Sequence, residues 1–91
     1  MIQRFKENEV DYENWLSEHP TGFVFNHFGG SLVQYNYNVI HLADCHMLRR
    51  PTDEGRRTII EKICSTDLNV LQQEVKKFRE DSYVFCKICT K

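Results

Sequence analysis

Two thiols two residues apart, in Cys86-Lys-Ile-Cys89, and an imidazole four residues before a third thiol, in His41-Leu-Ala-Asp-Cys45, are the side chains best placed to do chemistry. A Cys-x-x-Cys pair offers two sulfurs to one cation from a single turn. A His-x3-Cys pair adds a nitrogen and another sulfur, and Zn²⁺ takes tetrahedral sets of this kind. Five side chains therefore compete for four positions, the fifth being Cys64. His41 stands between Ile40 and Leu42 in an alternating strand, so it faces away from that apolar pair. Cys64 precedes a helix cap, where a small buried residue is commonly needed, and it reads as a core thiol. The expected ligands are His41, Cys45, Cys86 and Cys89, with Cys64 the alternative to His41.

The elements that must position these groups follow from periodicity and punctuation. Asp11 to His19 reads as a helix, with Tyr12, Trp15 and Leu16 on one face and Pro20-Thr-Gly22 to stop it. A strand begins at Gly22-Phe-Val-Phe25, and Gly29-Gly30 marks a turn. Val39-Ile-His-Leu42 is a second strand that delivers His41 and Cys45 at its end. Arg49 to Arg57 is polar and broken by Pro51 and Gly55, which makes it an exposed loop. Thr58 to Ile63 returns to β character. A second helix follows, capped by Ser65 or Thr66, with Leu68, Leu71, Val75 and Phe78 as its apolar stripe and Lys76, Lys77 and Arg79 near its far end. Tyr83-Val-Phe85 leads into the cysteine pair. The order predicts a single α+β domain over residues 1–91, with a small antiparallel sheet between an N-terminal and a C-terminal helix.

Ninety-one residues draw little net stability from an apolar core, so a metal or disulfides would strengthen the fold. Met1-Ile2-Gln3-Arg4-Phe5-Lys6 shows no leader, and no stretch approaches the roughly 20 apolar residues of a membrane span. The expectation is a cytoplasmic protein whose thiols stay reduced and take metal. The net charge is −1, which does not mark a general nucleic-acid binder. Its distribution is uneven. Residues 1–18 carry two basic against five acidic side chains, and residues 41–91 ten basic against eight acidic.

On His41, Cys45, Cys86 and Cys89, the run from Phe23 to Cys89 resembles the N-terminal metal-binding domain of the bacterial Ada methyl-DNA repair protein and its stand-alone relatives. That family has a strand hairpin, a [Cys/His]-x3-Cys pair, a further strand, a helix and a closing Cys-x-x-Cys. The resemblance implies a zinc-stapled fold and places Cys64 at a position the family does not use as a ligand. The stretches Trp15-Leu-Ser-Glu-His-Pro-Thr-Gly-Phe-Val-Phe-Asn26, Val39-Ile-His-Leu-Ala-Asp-Cys45 and Lys62-Ile-Cys64 are also similar to small uncharacterised bacterial proteins of restriction, defence or mobile loci, including phage. The family's methyl acceptor is a zinc-bound cysteine at the first position of the first pair. Here that position is His41, and an imidazole nitrogen on zinc cannot act as a methyl-accepting thiolate.

The sequence expectation is therefore a structural zinc and no enzyme activity. His-Glu-x-x-His and the zinc-deaminase signature are both absent. Arg49, Arg50, Arg56 and Arg57 on one loop suit nucleic-acid phosphates. Phe23, Phe25, Phe28, Tyr35 and Tyr37 offer rings for stacking bases, although Phe23 and Phe25 suit the core better. The alternative is a protein-interaction module or inhibitor, docking the acidic Glu7, Glu9, Asp11 and Glu13 on a nuclease or another nucleic-acid-processing protein. Self-association is compatible with either reading.

Overall fold

The computed structural model describes residues 2–33 and 37–87. The chain runs β1 (Gln3–Phe5), α1 (Glu9–Glu18), β2 (Phe23–His27), β3 (Val39–Leu42), β4 (Glu61–Ser65), α2 (Leu68–Arg79) and β5 (Val84–Phe85). Two 3₁₀ turns, His46–Arg49 and Pro51–Asp53, lie between β3 and β4. The strands form one sheet in the order β1-β4-β2-β3-β5. All neighbours are antiparallel except β3 and β5, which are parallel.

The side-chain alternation of β2, β3 and β4 divides the core. Phe25 is in register with Ile40 on one side and Ile63 on the other, while Val24 is in register with His41 and Cys64. Because successive residues point to opposite faces, these two rows lie on opposite sides of the sheet. Phe25, Ile40 and Ile63 pack with Leu71 and Val75 of α2. Val24 and Cys64 pack with Tyr12, Trp15 and Leu16 of α1, together with Phe5, Ala43, Cys45, Leu48 and Cys86. His41, Cys45 and Cys86 thus share a face with α1.

Chain direction accounts for a helix on each face and for the parallel pair. The β1-α1-β2 and β4-α2-β5 segments are both crossovers between parallel strands, and both step the same way across the sheet. The strands of one run opposite to those of the other, so a common hand of crossover sends the two helices to opposite faces. β5 must repeat the direction of β4, and it therefore lies parallel to β3. The small antiparallel sheet expected from the sequence is present, with a parallel pair added at this edge.

Local chemistry adjusts three boundaries. α1 starts at Glu9 because Asn8 caps it, its side-chain oxygen accepting from the Asp11 amide at 3.4 Å. Asn8 is itself held by the Thr58 hydroxyl, which accepts from the Asn8 amide at 2.8 Å, and the Thr58 carbonyl accepts from Glu7 N at the same distance. Thr58 is thereby an anchor for α1, and β4 begins only at Glu61. At α2 the cap is Asp67 rather than Ser65 or Thr66. Its Oδ1 accepts from the amides of Asn69 and Val70 at 2.9 and 3.2 Å. Among the described residues no helix is long and apolar enough to cross a membrane.

Gly22 sits where α1 meets the sheet and the turn that carries Cys45. It donates to His19 O, and its carbonyl accepts from Ala43 N at 2.9 Å. A Cβ here would lie 2.7 Å from Cη2 of Trp15 and 3.3 Å from Ser65 O. Gly22→Ala should overpack this corner and cost about 1–3 kcal/mol, seen as a lower urea midpoint with an unchanged slope. An unchanged midpoint would show that Trp15 yields freely.

Candidate metal centre

His41, Cys45 and Cys86 bring one ligand atom each within 4.8 Å of one another, close enough to hold a metal ion. Each is placed by backbone hydrogen bonds. His41 lies in β3 opposite Val24. A turn after β3 carries Cys45, whose amide donates to Leu42 O at 3.0 Å. Cys86 continues the β5 ladder, its amide donating to Ile40 O at 2.8 Å, which sets it beside the end of β3. Cys89, the fourth ligand expected from the sequence, lies outside the described residues, as does Tyr35.

The geometry suits a cation. The Cys45 and Cys86 sulfurs are 3.9 Å apart. A tetrahedral ion with metal–sulfur bonds near 2.3 Å separates its sulfurs by about 3.8 Å. Both cysteines are buried and free of disulfide. His41 Nδ1 is buried with no hydrogen-bond partner among the described residues, an orphaned polar atom that metal ligation or a bonded neighbour of the metal would explain. Burial, reinforced by the Lys62 charge, pushes the His41 pKa down to about 4, which keeps the imidazole in its neutral, ligating form at pH 7. Cys64 is not part of this group. The register sets Val24 between it and His41, so their backbones are about 9–10 Å apart across two strand spacings. It is fully buried in the α1-side core, and burial pushes its thiol up to about 12.

Of the four arginines on the neighbouring loop, two have structural duties. Arg49 donates to Ala43 O at 3.0 Å, bracing the turn that carries Cys45. The Arg57 guanidinium lies 3.4 Å from Glu13, and its backbone amide donates to Glu9 Oε1 at 2.5 Å. Glu9 also accepts from Gly55 N through Oε2. Burial alone would raise the Glu9 pKa, but these two backbone amides, a hydrogen bond with Glu13 and the Arg57 charge together hold the carboxylate below its usual range. Glu9 and Glu13 thus fasten this loop to α1, and the acidic face expected to meet a partner is partly engaged within the chain. Asp11 likewise accepts from the Asn8 side chain.

Arg50 and Arg56 remain exposed. The Arg56 guanidinium donates to Thr52 O at 2.8 Å, and among the described residues no hydrogen bond or ion pair holds that of Arg50. Both line a pocket of about 260 Å³ together with Arg57, Lys62, Asn26 and His41. Lys62 is the residue that sequence reasoning undervalued. Only 9% of it is exposed, its ammonium donates to Asn26 Oδ1, and burial pushes its pKa down to about 8. Its alternation with Cys64 in β4 was the available signal, since it had to share the face of that buried thiol.

Fold and site together define a class: a small α+β domain with three side chains close enough to hold a metal ion gathered at the end of its third strand. No family model, no curated protein and no solved structure matches the chain.

Proposed function

We propose that the protein is a non-enzymatic domain built on a structural zinc ion and that it binds nucleic acid through the loop beside that ion. Zinc is the cation that the donor set favours, because thiolate and imidazole ligands with near-tetrahedral spacing suit it above the hard cations. The Cys-x-x-Cys spacing of Cys86 and Cys89 supplies the fourth ligand in this reading and closes the site, which leaves the metal no open position for catalysis.

One observation carries the nucleic-acid reading: Arg50, Arg56, Arg57 and Lys62 converge on one pocket whose only carboxylate among the described residues is Asp53. Converging cations on a protein of net charge −1 are a local feature, and phosphate is the anion that paired guanidinium groups recognise best. Arg49 acts here by positioning the loop. Arg50→Glu combined with Arg56→Glu, both at exposed positions, should lower affinity for a labelled oligonucleotide by roughly 100-fold and flatten the dependence of log K on log salt by about 1–2. The measurement is fluorescence anisotropy on zinc-loaded protein across a salt series. Unchanged affinity in the double variant would remove the arginine loop from the interface.

A further inference from the structure

The pocket is continuous, through a single side chain, with an exposed aromatic pair. Asn26 accepts from the Lys62 ammonium through Oδ1 and donates from Nδ2 to Tyr37 O at 3.5 Å. It is in register with Val39 of β3. Two residues further along the same two chain segments, just beyond the ends of β2 and β3, come Phe28 and Tyr37, with ring centroids 5.1 Å apart and planes inclined by 40°. They are 46% and 58% exposed. Phe28 N donates to Asn26 O at 3.1 Å, and Asn38, fully buried, closes the loop by bonding both N and O of Gly29. The rings are therefore presented from anchored backbone.

From this juxtaposition we infer that the basic pocket and the Phe28–Tyr37 pair form one binding site for single-stranded nucleic acid, the pocket taking a phosphate and the pair a neighbouring base. The inference rests on the nucleic-acid reading above and specifies the form of the polymer. Two residues of chain span at most about 7 Å, a reach comparable with that from a backbone phosphate to a base. In a duplex each base is stacked on both faces and paired at its edge, so exposed rings gain nothing from it. An unpaired base offers a free face, which side-chain rings stack on without regard to sequence. Arg57 is fixed by Glu13 and by the Arg50 carbonyl, and Arg56 by the Thr52 carbonyl. The pocket's cations are thus partly ordered before a ligand arrives, which reduces the entropy lost on binding.

The test compares end-labelled single-stranded DNA, the same sequence as RNA, and the matching duplex, each about twelve nucleotides long, on the zinc-loaded full chain by anisotropy. Single strands should bind at least about 10-fold more tightly than duplex. Phe28→Ala with Tyr37→Ala should remove roughly 10-fold or more of that affinity while leaving the salt dependence unchanged, and Tyr37→Trp should retain it. Arg50→Glu should weaken binding and flatten the salt dependence. Both rings are exposed, so a retained melting transition separates lost stacking from lost fold. Equal binding of duplex and single strand, with no effect of the ring variants, overturns this inference and leaves a phosphate-binding patch. Absence of binding to all three polymers overturns the nucleic-acid reading itself. A preference of RNA over DNA, lost in the ring variants, supports the site and names its polymer.

Discussion

His41→Ala should cost the protein its zinc and with it most of its folded population, whereas Cys64→Ala should keep one zinc per chain. At 91 residues the whole domain is worth about 5–14 kcal/mol of stability. Structural zinc sites bind with about 10–16 kcal/mol at neutral pH, and that binding energy is folding energy. Losing the ion therefore removes an amount comparable with the entire stability. The location of the cluster makes the effect global. Cys45 and Cys86 belong to the same buried cluster as Tyr12, Trp15, Leu16 and Val24, with their sulfurs 3.9 Å apart, so whatever disturbs the ligands disturbs the core. Metal content by mass spectrometry and far-UV circular dichroism on wild type, both variants and chelated wild type make the measurement. Cobalt substitution adds a second readout, since a tetrahedral site with sulfur ligands gives intense visible bands that an unfolded or octahedral site lacks. Full zinc in His41→Ala, or its loss in Cys64→Ala, would move the fourth ligand to Cys64. A chelated protein that still melts cooperatively at the original temperature would show that the metal is not structural.

The sequence exposed the His41–Cys45 half of this site because its determinants are local. Alternation alone puts His41 opposite to Ile40 and Leu42, and four residues suffice for a strand to end and turn Cys45 back toward it. Cys64 needed more. Whether it meets His41 depends on which strand lies between β3 and β4, and that is a matter of sheet order, which strand periodicity does not encode. The same limit hid β1, a three-residue strand with two exposed side chains and only Phe5 buried, and it hid the parallel edge. Helix α2 was legible from its apolar stripe, yet its cap was not, because Ser65, Thr66 and Asp67 are all good cap residues. The structure assigns Asp67 by giving Ser65 another task, accepting from the Asp67 amide. The arginine loop was legible as an exposed basic loop, but its division of labour depends on Glu9, 48 residues from Arg57. No local pattern foretells which arginines a distant carboxylate will engage.

Arg79 is the strongest instance of that limit, and the second large effect is expected there. From sequence it is one of three cations near the end of α2, placed to suit the helix dipole. In the fold it is 3% exposed. Its Nη1 donates to Gly29 O and Gly30 O at 3.3 and 2.9 Å, its Nη2 to Ser31 O and Ser82 Oγ, and its Nε to Ser82 O. Gly29 and Gly30 have φ of +88° and +78°, a conformation glycine adopts freely and other residues rarely do. Two such residues in succession let neighbouring carbonyls reach the same guanidinium. A buried cation with no carboxylate partner among the described residues is tolerable only because these carbonyl dipoles replace its water. Arg79→Ala should accordingly cost about 2–4 kcal/mol. Arg79→Lys should recover little, since a single ammonium cannot reproduce a five-donor fork. Urea denaturation reads the stability, and hydrogen exchange of the Gly29 and Ser31 amides reads the loop. A loss below about 1 kcal/mol would mean that water satisfies the freed carbonyls as well as arginine does. The loop it clamps is the one that carries Phe28 and leads to Tyr37, on the far side of Asn26 from the metal ligands. The same variant should therefore weaken single-strand binding while its zinc content stays at the wild-type value, separating the two halves of the site.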